Sequence, residues 1–415
     1  MRGFYAYLIL VAATCLILPS AAIQIAEEWN RTYGGPYGDG IWSLDRIEDG
    51  GFIMAGFTSS NGQGSDLWLL KVNDSGIEIW DRTFGGSGED IGYSVQETSD
   101  KGFILAGTTK SYGIGGERLW LLRTDANGNR LWDRIFGGFV SSSGDGAWSV
   151  VESDDGGFVT TGYTSSFGVG GKDLWLIKTD SSGNKLWDRS YGGPKDEVGM
   201  SLIQTNDGGY MAAGRTESYG SGEDDIWLLK VDSEGKEQWN RTFGGEKDDV
   251  GLQVLEISDG YVIVGRTESF GSMKKAFLLK INSEGREIWE RTYGEESTGI
   301  SVQTTTDGGF IIAGRSEMGA SGRDALLIKA DSSGNKQWMM PLGGLEDDIG
   351  TYIMRSPDGG YVMSGITDSH GSGAEDAWAV KLAASAEPPT RHLRNSNGLM
   401  FPKINNTISS LPKVG

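Results

Sequence analysis

Three arginines in consecutive repeats of the sequence have the clearest potential to bind a ligand. Each begins an Arg-Thr-Glu or Arg-Ser-Glu triplet: Arg215 to Glu217, Arg266 to Glu268 and Arg315 to Glu317. The other four repeats carry Phe57, Thr108, Tyr163 and Ile366 at the arginine position. Because a guanidinium donates parallel hydrogen bonds to a carboxylate or phosphate, these triplets predict a site for an anion or a sugar acid. The alternative is that each arginine pairs with a nearby carboxylate of its own repeat.

A second candidate set is acidic. Six repeats carry a carboxylate at one position just before a strand, and the seventh carries Ser297 there: Asp39, Asp90, Asp145, Glu197, Asp249 and Asp348. Like charges around one axis repel, so this acidic ring predicts a Ca²⁺ site or a site for a cationic ligand. The alternative is that each carboxylate accepts N–H groups of its own Gly-Gly turn. The sequence predicts no other cofactor.

Catalytic residues are hard to single out. The chain has two histidines, His370 and His392, and one cysteine, Cys15. The chain therefore has too few histidines and cysteines to form a His/Cys metal site. Carboxylate pairs are numerous, and glycoside hydrolases use a pair of carboxyl groups as catalytic acid and as base or nucleophile. A carbohydrate-active hydrolase or lyase that uses carboxylates at the channel mouth stays open as the alternative function.

The elements that position these residues form a repeat of about 50 residues, a length typical of β-propeller blades. Two tryptophan positions set its register. The first holds Trp29, Trp80, Trp132, Trp187, Trp239, Trp289 and Trp338; the second holds Trp68, Trp120, Trp175, Trp227, Phe277, Leu326 and Trp378. Each repeat has four strand-like segments, which we name a to d from the channel outward. Strand a is rich in glycine and serine, so only small groups are expected near the axis.

The ends of the array predict how the ring closes. Residues 28–33 read as a strand d with no blade of their own, and residues 377–382 read as a final strand c that no strand d follows. The two should pair, because closure removes exposed sheet edges. The prediction is an all-β fold, a seven-bladed β-propeller of four-stranded blades over residues 23–383, in which the N-terminal strand completes the last blade. The d–a and b–c loops should then share one face.

The two termini differ in composition from the array. Residues 1–22 combine Arg2, an apolar stretch and small residues before a cleavage point, which is typical of a signal peptide. Lipidation of Cys15 is the alternative. Residues 384–415 are rich in Pro, Ser and Asn and predict a flexible tail. We therefore expect a secreted or cell-surface protein.

The net charge of the chain limits the classes of partner that it is expected to bind. The formal net charge is −20, which argues against nucleic acid and against anionic membrane surfaces. Beyond the N-terminal segment no stretch is apolar enough to span a bilayer. The expected partners are a glycan or a protein at the cell envelope, bound by a monomer.

The repeat also carries a resemblance. The motifs Thr-x-Asp-Gly-Gly-Phe-Ile-x-Ala-Gly-x-Thr and Lys-x-Asp-x-x-Gly-x-x-x-Trp resemble the repeats of secreted β-propeller proteins of bacteria and methane-producing archaea. Residues 232–239 are distantly similar to the tryptophan-docking motif of quinoprotein propellers, but one residue is missing and no vicinal cysteine pair exists. The resemblance implies an extracytoplasmic protein.

Together these observations favour a binding protein or scaffold without enzymatic activity. Its ligand is expected on the d–a/b–c loop face, at the arginine–glutamate triplets. A packing module of the cell envelope without a small ligand is a third interpretation.

Overall fold

The computed structural model describes residues 26–60, 64–113, 116–138, 144–317 and 322–383. These residues form 28 strands and no helix, arranged as seven four-stranded antiparallel sheets. The predicted seven-bladed β-propeller is therefore confirmed. The predicted signal peptide and tail lie outside the described residues, and no helix among those described could cross a membrane.

Blades are numbered by the order of their strand a, and each is written from strand a to strand d. Blade 1 is β2 (Asp39–Arg46), β3 (Phe52–Thr58), β4 (Asp66–Val72) and β5 (Glu78–Phe84). Blade 2 is β6 (Asp90–Glu97), β7 (Phe103–Thr109), β8 (Arg118–Thr124) and β9 (Arg130–Phe136). Blade 3 is β10 (Asp145–Glu152), β11 (Phe158–Thr164), β12 (Asp173–Thr179) and β13 (Lys185–Tyr191). Blade 4 is β14 (Glu197–Gln204), β15 (Tyr210–Thr216), β16 (Asp225–Val231) and β17 (Glu237–Phe243).

The remaining blades follow the same order. Blade 5 is β18 (Asp249–Ile257), β19 (Gly260–Thr267), β20 (Lys275–Ile281) and β21 (Glu287–Tyr293). Blade 6 is β22 (Ser297–Thr304), β23 (Phe310–Ser316), β24 (Asp324–Ala330) and β25 (Lys336–Leu342). Blade 7 is β26 (Asp348–Arg355), β27 (Tyr361–Thr367), β28 (Asp376–Leu382) and, from the other end of the chain, β1 (Glu27–Tyr33).

Blade 7 closes the ring as predicted. Strand β1 pairs antiparallel with β28, with Thr32 opposite Trp378 and Tyr33 opposite Ala377. The first strand of the array thus supplies the outer strand of the last blade, and no blade is left with three strands. This pairing removes the open edges that a linear stack would expose.

Strands b and c build the core between blades. In blades 2 and 3 every residue of both strands is buried, because each sheet is covered on both faces by its neighbours. The tryptophans of strand c, such as Trp120 and Trp175, are almost fully buried. Burying a ring of this size removes roughly 200 Å² from water, an upper-bound gain of about 5 kcal/mol.

Neighbouring strands a are linked by side-chain hydrogen bonds. The serine hydroxyls accept a backbone N–H from strand a of the next blade, at 3.1–3.2 Å, in these pairs: Ser43 from Val95, Ser94 from Val150, Ser149 from Leu202, Ser201 from Val254 and Ser301 from Ile353. Blade 5 uses Gln253 in the same way. Blade 7 has Tyr352 at this position, and its neighbour Thr351 instead donates to the Ile41 carbonyl of blade 1 at 2.7 Å.

Every strand a contains a β-bulge that turns one side chain toward the axis. The pairing register shifts between Ile41 and Ser43 in blade 1, between Gly92 and Ser94 in blade 2, and at the matching place in the other blades. A bulge leaves one residue unpaired and re-aims it. The seven bulge residues are Trp42, Tyr93, Trp148, Met200, Leu252, Ile300 and Thr351. The expectation that only small groups fit at the axis is therefore wrong, because seven blades leave an open channel there.

Candidate functional site

The central channel forms a cavity along the axis of the propeller. Its volume is about 860 Å³, and strand a of every blade contributes to its wall. Concave sites of this size are typical of ligand pockets. The d–a and b–c loops share the face at one end, as predicted, because Ser60 of a b–c loop donates to Asp39 of a d–a loop at 2.8 Å.

Aromatic side chains line one arc of the channel, which we call the aromatic arc. It consists of the bulge residues of blades 1 to 3: Trp42, Tyr93 and Trp148. The ring centroids of Trp42 and Tyr93 lie 6.2 Å apart, and those of Tyr93 and Trp148 lie 4.3 Å apart at 35°. The indole N–H groups of Trp42 and Trp148 are buried without a hydrogen-bond acceptor among the described residues. Burial raises the pKa of Tyr93 to about 12, with a smaller contribution from Glu117.

The three arginines line the opposite arc, which we call the arginine arc. Arg215, Arg266 and Arg315 occupy the same position on strand b of blades 4 to 6, opposite the second residue of strand a in each sheet. All three contribute to the channel wall. In the ring order of the seven blades, blade 4 adjoins blade 3, and blades 5 and 6 lie across the axis from blade 2. The structure thus brings together the three arginines that the sequence predicts.

Only the first of the three arginines is neutralised by ion pairs. Arg215 contacts Glu217 at 3.1 Å and Asp224 at 2.5 Å. Arg266 has no ion pair among the described residues, and neither has Arg315, whose Nε is buried without a hydrogen-bond partner. The alternative of local pairing therefore holds for one blade of the three.

The carboxylates nearest Arg315 are held by other cations. Lys274 of blade 5 contacts Glu317 at 2.6 Å, and this hydrogen bond holds the pKa of Glu317 below its ordinary value. Arg323 donates to Asp347 through Nε at 2.8 Å. Burial, together with the charges of Arg323 and Arg266, lowers the pKa of Arg315. Two guanidinium groups therefore face the channel, and no carboxylate of the described ranges is in contact with them.

The glutamates of the three triplets do not lie in the channel wall beside the arginines. None of Glu217, Glu268 and Glu317 lines the channel. Glu217 and Glu317 serve as ion-pair partners instead. The predicted ligand role of these three glutamates stays a prediction.

The acidic ring is buried in the d–a turns. Each carboxylate accepts a backbone N–H of its own turn at 2.6–3.2 Å, from these glycines: Gly35 to Asp39, Gly86 to Asp90, Gly138 to Asp145, Gly193 to Glu197, Gly245 to Asp249 and Gly344 to Asp348. Most also bind a serine hydroxyl of the b–c loop, as Asp348 binds Ser369 at 2.7 Å. The geometry is that of the stated alternative, in which the carboxylates order the turns.

The ring carboxylates do not converge on a point. No group of three or more acidic, His or Cys side chains that could hold a metal ion occurs in the described part of the chain. The acids of neighbouring elements meet in pairs instead: burial, and then the charge of Glu197, raises the pKa of Asp173, which begins strand c of the preceding blade. Blade 2 relieves this repulsion with Arg118, which lies 3.6 Å from Asp145. Calcium binding by the ring stays a prediction.

A carboxyl group deeper in the channel was not predicted. Asp45 lies near the end of strand a in blade 1 and lines the channel. Burial raises its pKa to about 6, although the N–H groups of Glu97 and Arg46 donate to it at 2.8 Å. Blades 2 and 6 carry Gln96 and Gln303 at the same position. Asp45 and Asp224 are the two carboxylates of the channel wall.

The aromatic arc was also missed. The signal that could have found it is the residue directly before the serine of strand a, which is aromatic in three consecutive repeats.

The fold and the channel define a β-propeller repeat protein, an architecture that suggests a scaffold or binding role. No protein-family profile matches the chain. The regulatory protein FlaEY of Caulobacter vibrioides is 28% identical over 193 residues, which is 41% of this chain and 19% of FlaEY. The chain thus spans about a fifth of the length of that curated relative.

Solved structures show the same fold. The WD40 β-propeller domain of Doa1 matches with a TM-score of 0.53 at 11% identity, over 86% of this chain and 97% of that one. The WD40 domain of Pan2 from Neurospora crassa matches with a TM-score of 0.53 at 9% identity, over 85% and 90% of the two chains. At these identities the likeness concerns the fold alone.

Proposed function

We propose that this protein is a secreted or cell-surface binding protein whose ligand is an anion held in the central channel, at the end that the d–a and b–c loops surround. Arg266 and Arg315 are its anchors. The observation that carries the proposal is that both guanidinium groups face the channel without a contacting carboxylate, while the carboxylates nearby are held by Lys274 and Arg323. A glycan or a protein of the cell envelope would supply the anionic group.

The free-energy cost of leaving two arginines unpaired in the channel supports this assignment. A charged group in a partly buried site is unfavourable unless it is paired or hydrogen-bonded. Two adjacent like charges add repulsion, and the chain as a whole is strongly acidic, so carboxylates to neutralise them are plentiful. An anionic ligand would satisfy both arginines at once through charge-assisted hydrogen bonds.

The repeat supplies substitutions that the fold already accepts. Blade 2 has Thr108 where blades 5 and 6 have the arginines, so Arg266→Thr and Arg315→Thr copy a residue of a sister blade. On an array of acidic and neutral glycans and of envelope proteins, the wild-type protein should bind acidic members. Each variant should lose about tenfold or more in affinity, because hydrogen bonds to charged groups contribute about 1.5–3 kcal/mol.

The matched control is Arg286→Gln in a c–d turn of blade 5. Arg286 is 78% exposed, so this change removes one positive charge outside the channel. It should leave binding unchanged. Equal losses in Arg286→Gln and Arg266→Thr would contradict the proposal, and so would an array with no acidic member bound.

The alternative function, an extracellular hydrolase or lyase acting on carbohydrates, is favoured by one observation. Asp45 has a pKa of about 6, raised by burial, and lies in the same channel. A carboxyl group that titrates near neutral pH can serve as a general acid or base. Incubation of the purified protein with acidic polysaccharides distinguishes the two functions: new reducing ends that vanish in Asp45→Asn would establish the enzyme.

Calcium at the acidic ring is a separate proposal with a separate test. A ligand that binds only the folded state raises the melting temperature. A rise on addition of CaCl₂ that EDTA reverses would support a calcium site. Identical melting curves with CaCl₂ and with EDTA would dismiss it.

A further inference from the structure

We infer that the anion bound in the channel is a sugar acid, a ring that bears a carboxylate, with the carboxylate on Arg266 and Arg315 and the ring against Tyr93 between Trp42 and Trp148. The inference rests on the proposed function and adds the chemical class of the ligand. It draws on the aromatic arc, which the arginines alone do not explain.

The first argument is the position of the two arcs. Three aromatic bulge residues stand on blades 1 to 3, and the unpaired guanidinium groups stand on blades 5 and 6 of the same channel. An inorganic anion would contact the arginines and leave the aromatic arc without a partner. A ligand with a charged group at one edge and an apolar face at the other contacts both arcs.

The second argument is the chemistry of the aromatic arc. The ring centroid of Tyr93 lies 4.3 Å from that of Trp148 and 6.2 Å from that of Trp42, so the three rings form a continuous apolar surface. The C–H faces of a pyranose ring can pack on such a surface. Blade 4 carries Met200 at the matching position and blade 5 carries Leu252, so the propeller does not need aromatic rings there for its own packing.

The third argument is a shortage of hydrogen-bond acceptors. The indole N–H groups of Trp42 and Trp148 and the Nε–H of Arg315 are all donors, and all three are buried without a partner among the described residues. Leaving a buried donor unpaired is unfavourable. The hydroxyl, ring and carboxylate oxygens of a sugar acid are acceptors, which these donors lack.

The test compares four probes by isothermal titration: trigalacturonate, the matched neutral trisaccharide galactotriose, sodium sulfate and uridine monophosphate. Trigalacturonate should bind the wild-type protein at least tenfold more tightly than each of the other three. Tighter binding of uridine monophosphate would replace the sugar acid with a nucleotide, and equal binding of sulfate would reduce the site to a simple anion site.

Two substitutions then separate the arcs. Tyr93→Leu and Trp148→Met copy the bulge residues of blades 5 and 4, and each should weaken trigalacturonate binding by about threefold to tenfold, because aromatic contacts contribute about 0.5–1.5 kcal/mol beyond the buried area. Sulfate binding should not change. Tyr37→Ala is the matched control, since Tyr37 is a 63% exposed aromatic residue outside the channel wall. Melting curves that match the wild type establish that the variants are folded.

The outcomes distinguish the two proposals. If Arg266→Thr abolishes binding of trigalacturonate and Tyr93→Leu and Trp148→Met do not alter it, the sugar-acid inference is wrong and the anion site stands. If none of the charged probes binds, or if Arg266→Thr and Arg315→Thr bind them as the wild type does, both proposals are wrong.

Discussion

The indole N–H of Trp378 donates a hydrogen bond of 2.7 Å to the side-chain oxygen of Asn30, which lies 348 positions away in the sequence. Trp378 belongs to strand c of blade 7 and is 1% exposed. Asn30 belongs to β1, the strand that closes the ring. This contact ties the two ends of the array across the closing sheet.

Removal of the Asn30 side chain should destabilise the closure. Asn30→Ala leaves the buried Trp378 indole N–H unpaired, so the free energy of unfolding should fall by about 1–3 kcal/mol. Urea denaturation followed by tryptophan fluorescence measures the change. Asn240→Ala is the matched control, because Asn240 holds the same position in blade 4 and the Trp227 indole N–H there already lacks an acceptor among the described residues. Equal losses in the two variants would show that the contact does not secure the ring.

Each outer tryptophan of six blades packs on a turn glycine of the next blade. A Cβ on Gly128 would lie 2.8 Å from the ring of Trp80, and the Arg82 guanidinium stacks 5.1 Å from the same ring. The related arginines of strands β9, β13, β17 and β21 stack in the same way. The glycine therefore has two roles, a positive φ of 76° and room for the tryptophan.

The substitution Gly128→Ala tests both roles. It should lower the free energy of unfolding by more than Gly156→Ala does. Gly156 has the same φ of 76°, but a Cβ there would meet nothing within 4 Å. The backbone strain alone costs about 1–2 kcal/mol, and the clash with Trp80 adds to it. Denaturant midpoints measure the two changes, and indistinguishable midpoints would mean that the tryptophan does not need the glycine.

Ion pairs between strand c and the a–b turn make the fold sensitive to acid. Lys230 is nearly buried and contacts Asp207 at 2.9 Å. Partial burial raises the pKa of Asp207, but the hydrogen bonds from Thr205, Lys230 and Gly209 outweigh it and lower this pKa to about 2. The pKa values of Asp307 and Asp358 are also lowered to about 2.

Because these folded-state pKa values lie below the ordinary value of 3.8, the stability they contribute is present above about pH 4 and lost as the pH falls toward about 2. Urea denaturation between pH 6 and pH 2 measures this loss. In Asp207→Asn the loss over this range should be smaller. Asp49→Asn is the control, because Asp49 holds the position of Asp207 in blade 1. The counterpart of Lys230 there is Lys71, which lies 5.9 Å from the Trp80 and Phe103 ring centroids and makes no ion pair among the described residues. A steeper pH dependence in Asp207→Asn would contradict the assignment.

Asp45 should make anion binding depend on pH. Its pKa of about 6 means that it is uncharged below this pH and negative above it. Asp45 stands five residues further along strand a than the position opposite the arginines, roughly 16 Å at about 3.3 Å per residue, so its negative charge repels the ligand weakly and the affinity should fall slightly as the pH rises through 6. Glu97 and Tyr352 are other ionisable groups near it; burial raises the pKa of Glu97 above its ordinary value and that of Tyr352 to about 12. Titrations at pH 5 and pH 7 should differ in the wild type and agree in Asp45→Asn; a dependence that persists in the variant would assign it to another group.

The sequence predicted the blades well because their determinants recur. The two tryptophan positions and the glycine turns appear in nearly every repeat, and repetition separates such signals from chance. The arginine arc was predicted for the opposite reason, since Arg215, Arg266 and Arg315 break the symmetry of an otherwise regular position.

The aromatic arc and Asp45 could not be predicted because they depend on geometry that a repeat alignment does not contain. Trp42 and Tyr93 face the axis because each is the bulge residue of its strand a. In the sequence alone, neither ring can be distinguished from a tryptophan or tyrosine of the hydrophobic core. Whether a nearby carboxylate is free to pair with the arginines depends on contacts between blades, such as that of Lys274 with Glu317, which joins positions 43 residues apart.

A crystal structure of the protein grown with saturating trigalacturonate tests the binding site most directly. We expect density in the central channel, with a carboxylate within hydrogen-bond distance of Arg266 and Arg315 and a sugar ring in contact with Tyr93. Density confined to the outer surface, or a channel that contains only water at saturation, would contradict it.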